Sequence, residues 1–266
     1  SLIGTKDNIV QQIDVMPTVL DLLNYNKPFF SFGKSMLSYN QNWAISYLQN
    51  TYRLITNNSI IVNKKGAEKA ISFPQIKYLG YPLSISETFQ IKNSNKSILE
   101  SMLLVDELQN MCINSGQELI IYISMAFGNI YNDKYSISIL FDYIEKLINI
   151  GIKKITLADT IAIADKNIIA NVFKELNKIN NVSFGLHLHS HPKDAISKIN
   201  SAWINGCRSF DSTIRGFGGC PFAKNELVGN ISTESLINYI QTKKIKHKIN
   251  FLALETARNN SMDIFK

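Results

Sequence analysis

The sequence predicts an α/β fold built around a parallel β-sheet. Short apolar runs rich in β-branched residues recur along the chain, and stretches with helical periodicity separate most of them. This alternation implies parallel strands joined by crossover helices, with ligands bound at the carboxyl ends of the strands. The strand-like runs begin near Ser59, Leu79, Leu119, Lys154, Val182 and Cys207.

Helical periodicity is clearest in the segment from Lys96 to Asn114. Its apolar residues recur at steps of three and four positions, and Gly116 follows as a stop signal. Gly206 is predicted to be the C-cap of the last of three further helices. These helices are predicted over residues 136–149, 166–179 and 192–205.

Composition excludes some classes of function. Hydrophobic residues make up 45% of the 266 positions, enough for the core of one large domain. No apolar run approaches the ~20 residues that span a bilayer, so no membrane partner is expected. The net charge of +7 is scattered, and the densest basic cluster, residues 243–248, is predicted to be a solvated face. No nucleic-acid partner is therefore expected.

A cluster of histidines and cysteines points to a metal site with a thiol nearby. Three of the four histidines and two of the three cysteines lie between Gly185 and Asn230. At alternate positions of an extended strand, His187 and His189 share a face and can bind one cation. The alternative is a hydrogen-bonded core pair. Cys220 follows a glycine-rich loop, which is unlike the setting of a packed core thiol.

The motifs of this region resemble the 3-hydroxy-3-methylglutaryl-CoA lyase family, especially its bacterial branch. The similarity begins near residues 60–66 and continues to the C-terminus. The Gly-Gly-Cys-Pro loop followed by Gly-Asn is its most specific part. The motifs lie in family order at residues 123–128, 157–161, 187–189, 216–221 and 229–230.

The resemblance implies an incomplete TIM-type (β/α)8 barrel over residues 59–266. Six βα units are recognisable, whereas a closed barrel has eight. The family's first two strands, with an Arg-Asp pair and a glutamate, have no counterpart in this sequence. The Arg-Asp pair supplies a carboxylate ligand and a positive charge, so we expect impaired activity.

A foreign segment, residues 1–58, precedes the predicted barrel. Its runs 11–23, 27–33 and 42–45 resemble the C-terminal end of sulfatases of the lipoteichoic-acid-synthase type. The resemblance carries no catalytic residue into this segment, which is predicted to be non-catalytic. The sequence therefore indicates a chimaera of two truncated reading frames, joined between about Tyr52 and Gly66.

The resemblance implies cleavage of 3-hydroxy-3-methylglutaryl-CoA to acetyl-CoA and acetoacetate. Its cofactor is a divalent cation, Mg²⁺ or Mn²⁺, which would bind the substrate hydroxyl and lower its pKa. His187, His189 and Asn230 are the implied ligands, although the two imidazoles alone would also accept Zn²⁺. The expected partner is the acyl-CoA substrate, which the basic surface would attract, and a homodimer is an assembly we keep open.

Two residues are candidates for the general base, and one for the acid. His187 or Asp159 would take the hydroxyl proton, and Cys220 would protonate the acetyl-CoA enolate. Asp159 could instead be a helix cap or a strand-end carboxylate. The chain departs from the family at Ser190, where many members have Asp, and at Asn129, where many have Cys.

Two hypotheses from different classes follow. The first is a metal-dependent carbon–carbon lyase, and the second is a catalytically inactive fusion fragment that keeps a barrel scaffold.

Three cysteines without framework spacing and no signal peptide favour a reducing cytoplasm.

Overall fold

A computed structural model describes residues 43–48, 51–56, 59–61, 64–74, 76–218, 228–247 and 249–264. The chain divides into two compact units, one ending at Leu79 and the other starting at Gly80. Most of the predicted sulfatase-like segment, residues 1–58, lies outside the described residues. Its boundary at residue 58 stays a prediction.

The first unit contains an antiparallel strand pair. Strand β1 (Trp43–Leu48) runs against β2 (Thr51–Thr56), with Trp43 opposite Thr56. Strand β3 (Ser59–Ile61) and helix α1 (Lys64–Ala70) follow. Helix α1 buries two alanines, at positions 67 and 70.

The second unit is built on a sheet with the strand order β4-β5-β6-β7-β8. Strands β5 to β8 are parallel neighbours, which confirms the prediction for this part of the sheet. A short strand, β9, pairs antiparallel with β7. The strands are β4 (Tyr78–Ser84), β5 (Glu118–Ser124), β6 (Lys154–Asp159), β7 (Ser183–Ser190), β8 (Ser209–Phe210) and β9 (Gly229–Asn230).

Helices connect the strands of this unit. They are α2 (Glu87–Ser94), α3 (Ile98–Ser115), α4 (Ile137–Asn149), α5 (Lys166–Leu176), α6 (Pro192–Ile204), α7 (Thr233–Thr242) and α8 (Phe251–Ile264). Helix α3 starts at a capping box, in which Ser97 and Glu100 satisfy each other's backbone N–H groups. It ends at Gly116, whose left-handed φ of 72° confirms the predicted stop.

Helix α6 ends one residue earlier than predicted, because its C-cap is the residue before Gly206. The C-cap is Asn205, and Gly206 is the next residue, with a left-handed φ of 101°. A Cβ atom there would collide with the side chain of Asn177. The position therefore requires glycine for both its backbone angle and its space.

The core lies between one face of the sheet and the helices. Strand β5 alternates strictly, because Leu119, Ile121 and Ile123 are buried and the residues between them are more exposed. Helix α4 adds three fully buried residues, Leu140, Ile144 and Leu147. The other face of the sheet carries polar side chains, and the candidate site lies at its carboxyl end. Within the described residues, no helix is both long and apolar enough to cross a membrane.

Candidate active site at the carboxyl ends of the strands

His187 and His189 lie on the same face near the carboxyl end of β7. Successive side chains of a strand alternate between faces, so this pair shares one face, as the sequence predicts. The centroids of the two rings are 5.2 Å apart, and the rings lie nearly at right angles. His189 is buried, whereas the His187 side chain is 31% exposed. His187 is thus the more accessible of the two.

A backbone carbonyl fixes the orientation of His189. The Nδ1 atom of His189 lies 2.8 Å from the carbonyl oxygen of Thr160, which follows β6. Because a carbonyl can only accept a hydrogen bond, this geometry places the proton on Nδ1 and leaves a lone pair on Nε2. Burial lowers the pKa of His189, which keeps the ring neutral. His189 is therefore prepared as an electron-pair donor.

Strand β9 brings Asn230 to His189. The two residues are direct partners in the antiparallel pairing of β7 and β9. The Nδ2 group of Asn230 donates to the carbonyl oxygen of Phe217 at 2.9 Å. This bond leaves Oδ1 as the Asn230 atom that is available to a cation.

The glycine loop after β8 permits this approach. Gly216 has a left-handed φ of 70°, and a Cβ atom there would lie 2.9 Å from the Asn230 carbonyl oxygen. Gly218 has a φ of 81°, and its Cβ would lie 3.1 Å from Nδ2 of Asn230. The loop thus needs glycine so that its backbone can pass against Asn230.

Asp211 and Tyr122 complete the polar face around His187. The Nδ1 atom of His187 lies 3.2 Å from Oδ2 of Asp211, just beyond β8. The ring centroid of Tyr122 on β5 is 6.5 Å from that of His187, in an edge-to-face arrangement. Burial, and secondarily the charge of Asp211, raise the pKa of Tyr122, so its hydroxyl stays protonated. Only Nε2 of His187 is left for a ligand or a substrate proton.

Asp159 is not brought to the histidines. It ends β6 in register with Leu188, while Ala158 is in register with His187, so Asp159 shares the face of Leu188. The carboxylate is 1% exposed and accepts from the backbone N–H groups of Ile163 and Ala164. These contacts favour the strand-end interpretation of Asp159 over the catalytic one.

A buried lysine lies beside the Asp159 carboxylate. The Nζ atom of Lys198 on α6 is 3.8 Å from Oδ2, and its side chain is 9% exposed. Burial raises the pKa of Asp159 to about 6, against the opposing effect of Lys198 and three backbone N–H groups.

The other predicted residues have simpler positions. Cys220 lies in the segment 219–227, outside the described residues, and its role as acid stays a prediction. Ser190 donates to the carbonyl oxygen of His191. Asn129 accepts from two backbone N–H groups and donates to the carbonyl of Asp133, which makes it a loop-closing residue.

The residues that fit a divalent cation are His187, His189 and Asn230. Each offers one free donor atom, since its other polar atom is already bonded within the protein. Two imidazole nitrogens and an amide oxygen suit a first-row divalent metal. All three donors are neutral, and in the described part of the chain no three His, Cys, Asp or Glu side chains form a metal-binding group.

Sequence reasoning gave no role to Asp211, Tyr122 or Thr160. Asp211 follows the strand next to β7 and is separated from Ser209 by one residue, which is a detectable signal for a carboxylate at the site. Tyr122 occupies one of the less buried alternating positions of β5. Thr160 acts through its backbone carbonyl, for which side-chain patterns give no signal.

Comparison with known proteins identifies the family of this chain. The model of the HMGL-like family matches residues 49–260. A hydroxymethylglutaryl-CoA lyase of Bacillus subtilis is 28% identical over 204 residues, which are 76% of this chain and 68% of the relative. An (R)-citramalyl-CoA lyase of Chloroflexus aurantiacus is 28% identical over 200 residues, which are 75% of this chain and 62% of the relative.

Solved structures show the same fold. The HMG-CoA lyase of Bacillus subtilis superposes with a TM-score of 0.70 at 28% identity, covering 77% of this chain and 68% of that one. An HMG-CoA lyase of Acinetobacter baumannii in complex with coenzyme A and 3-methylmalate superposes with a TM-score of 0.65 at 27% identity. The match covers 74% of this chain and 64% of that one. With this likeness the α/β barrel-type architecture is confirmed. Since the family model matches well over half of its length, the chain belongs to the HMGL-like family.

Proposed function

We propose that this chain is a metal-dependent carbon–carbon lyase that cleaves 3-hydroxy-3-methylglutaryl-CoA to acetyl-CoA and acetoacetate. The observation that carries the proposal is that His189 lies beside the His187 ring and opposite Asn230 at the carboxyl end of β7, in a member of the HMGL-like family. The curated lyases among its relatives support the reaction class. HMG-CoA as substrate, and acyl-CoA as partner, are parts of the proposal.

These three residues would hold the cation through Nε2 of each histidine and Oδ1 of Asn230. When bound, a divalent cation would polarise the substrate hydroxyl and fix its position. The protein prepares its own donors, because Thr160 sets the tautomer of His189 and Phe217 sets the amide orientation of Asn230. Mg²⁺ and Mn²⁺ are the proposed ions.

Proton transfer falls to His187 in this proposal. The base takes the proton of the C3 hydroxyl, the C2–C3 bond breaks, and its electron pair forms the enolate of acetyl-CoA. Cys220 then donates the proton that converts this enolate to the acetyl group. Asp159 is the less favoured base, since it lies on the opposite face of the sheet with its carboxylate already bonded.

His187 has only one nitrogen for these two roles. Its Nδ1 atom faces Asp211, so Nε2 either binds the cation or accepts the proton, and it cannot do both at the same moment. Asp211 orients the ring in either case. The accessibility of the His187 side chain, 31%, agrees with contact between this ring and a ligand.

Reduced turnover is part of the proposal. A neutral donor set holds a hard cation such as Mg²⁺ weakly, because such ions prefer carboxylate oxygens. Loss of one charge-stabilising group in an active site costs roughly 3 to 4 kcal/mol. This loss and the weak hold on the cation together lead us to expect turnover at least ~10³-fold below that of a relative with a carboxylate ligand.

An assay of the purified 266-residue chain tests the proposal. The chain is incubated with HMG-CoA and Mg²⁺ or Mn²⁺, acetoacetate is measured, and (R)-citramalyl-CoA is supplied in parallel because one relative is named for it. We expect slow turnover of HMG-CoA that chelation abolishes. A Cys220→Ser variant should lose turnover while retaining Mn²⁺ affinity. Absence of both turnover and Mn²⁺ binding would overturn the proposal in favour of its alternative, an inactive chimaeric or sulfatase-derived fragment.

A further inference from the structure

The turn that follows β6 is closed on the Asp159 carboxylate. Its two oxygens accept from the backbone N–H groups of Ile163 and Ala164, at 3.0 and 3.1 Å. The Asp159 carbonyl accepts from Ala162, which has a left-handed φ of 60°. A residue other than glycine adopts this angle only where its surroundings hold it, and here the bonds to Asp159 surround it on both sides.

Thr160 lies inside this closed turn and carries the carbonyl that bonds to His189. Its hydroxyl accepts from the Met125 N–H at 2.9 Å, so the residue is held on the β5 side as well. Asp159 on one side and Met125 on the other hold the Thr160 backbone in place. The Thr160 carbonyl oxygen lies 2.8 Å from Nδ1 of His189.

Lys198 connects this turn to helix α6. Its ammonium group lies 3.8 Å from the Asp159 carboxylate, and both side chains are more than nine-tenths buried. A buried carboxylate without a partner would be strongly disfavoured, so the lysine keeps the charged form in place as a hydrogen-bond acceptor. Asp159 shares the face of Leu188 and not that of the two histidines, and the chemistry proposed above does not use Lys198.

We propose that Asp159 and Lys198 are positioning residues that fix the tautomer and orientation of His189 through the Thr160 carbonyl. In this proposal Asp159 does not touch the reacting atoms and is not the base. It acts only through Thr160 and His189. The inference rests on the proposed function in one respect, since it takes His189 to be a cation ligand. In other metal sites, substitution of a residue that orients a metal ligand lowers metal affinity about 10- to 100-fold.

The test reads the tautomer of His189 directly, in metal-free protein. Nitrogen-15 NMR of the imidazoles distinguishes Nδ1–H from Nε2–H, and the four histidines are assigned by single His→Gln variants. We expect the Nδ1–H form for His189 in the parent protein. In Asp159→Ala and Lys198→Met we expect a mixture of tautomers, together with roughly tenfold weaker Mn²⁺ binding.

Two matched variants control for general damage. Asp165→Ala removes a carboxylate that caps helix α5, and Lys178→Met removes an exposed pair with Glu175. Both should leave the His189 tautomer and Mn²⁺ affinity unchanged. If a single variant fails to fold, the neutral double variant Asp159→Asn with Lys198→Met decides, because it removes both charges together and still weakens the turn.

Unchanged tautomer and unchanged Mn²⁺ affinity in a folded variant of either residue would overturn the inference. The NMR measurement needs neither substrate nor turnover. A chain without lyase activity that still shows the tautomer change would therefore refute the proposed function and leave the positioning role standing.

Discussion

His189 and Asn230 lie directly opposite each other where β7 and β9 pair antiparallel. Each side chain has its second polar atom occupied, His189 by the Thr160 carbonyl and Asn230 by the Phe217 carbonyl. Each residue therefore keeps one donor atom for a ligand at this strand pairing, although the residues come from different segments of the chain.

This relationship predicts the effect of Asn230→Ala. The substitution removes one of three proposed donor atoms, so Mn²⁺ affinity should fall at least about tenfold. Titration calorimetry with Mn²⁺ measures the change. Asn200→Ala is the control, because it removes a part-buried amide that accepts from Tyr239 outside the site. Equal affinities in the two variants would contradict the ligand assignment.

Gly216→Ala should damage both stability and the site. The left-handed backbone alone costs about 1 kcal/mol for alanine, and the Cβ would press on the Asn230 carbonyl oxygen at 2.9 Å. Gly116→Ala is a matched control, since its φ is 72° and nothing lies within 4 Å of its Cβ. Urea denaturation should show the larger loss for Gly216→Ala, and only this variant should weaken Mn²⁺ binding. Equal losses would show that the close approach has no energetic effect.

The two roles of His187 can be separated by substitution. We expect His187→Ala to lower Mn²⁺ affinity at least about tenfold and also to lower turnover. Asp211→Asn keeps an acceptor oxygen beside Nδ1 of His187, so it should lower turnover with a smaller effect on Mn²⁺ affinity. The exposed His247 provides a control alanine variant. Loss of turnover in His187→Ala with full Mn²⁺ affinity would assign the ring to proton transfer alone.

Asp159 should make stability fall as pH rises. Its pKa is raised from 3.8 to about 6, so folding favours the protonated form. That contribution is complete below about pH 4 and is lost as pH rises through about 6. The loss amounts to about 3 kcal/mol at most, at about 1.4 kcal/mol per pH unit. Urea unfolding of the parent protein and Asp159→Asn from pH 4 to 7 measures the difference.

Asp165 supplies a control of opposite sign for this measurement. Backbone hydrogen bonds lower its pKa, so its charged form is favoured in the folded state. The parent protein should therefore lose stability relative to Asp165→Asn as pH falls. A pH-independent difference between the parent protein and Asp159→Asn would show that Asp159 titrates normally.

Elements with a strong local signal could be predicted from the sequence. Helix α3 has a capping box, an apolar stripe and Gly116, and each of these signals acts on residues close to it in the sequence. The shared face of His187 and His189 follows from strand alternation alone. Parallel pairing of β5 to β8 follows from the alternation of strands and helices.

The positions of other residues depend on information that is not local. A one-residue shift in a strand moves every side chain to the other face of the sheet. The sequence does not show which residues of β6 face the helices. The sequence therefore leaves Asp159 both as a candidate base and as a strand-end carboxylate, and in the structure it shares the face of Leu188. Strand β9 has two residues, too few for any pattern, and its pairing with β7 is a product of tertiary structure.

The distance along the chain between β7 and β9 has a consequence for folding. Strands β5 to β7 can assemble through contacts between neighbouring βα units, whereas Asn230 reaches His189 only after the intervening segment has closed as a loop. Long-range closure is entropically costly and forms late in folding. A cation that requires both residues would bind only molecules in which closure is complete, and by mass action it would enrich them. Metal added during refolding would thus act on the last step of assembly, selecting chains whose C-terminal third has docked.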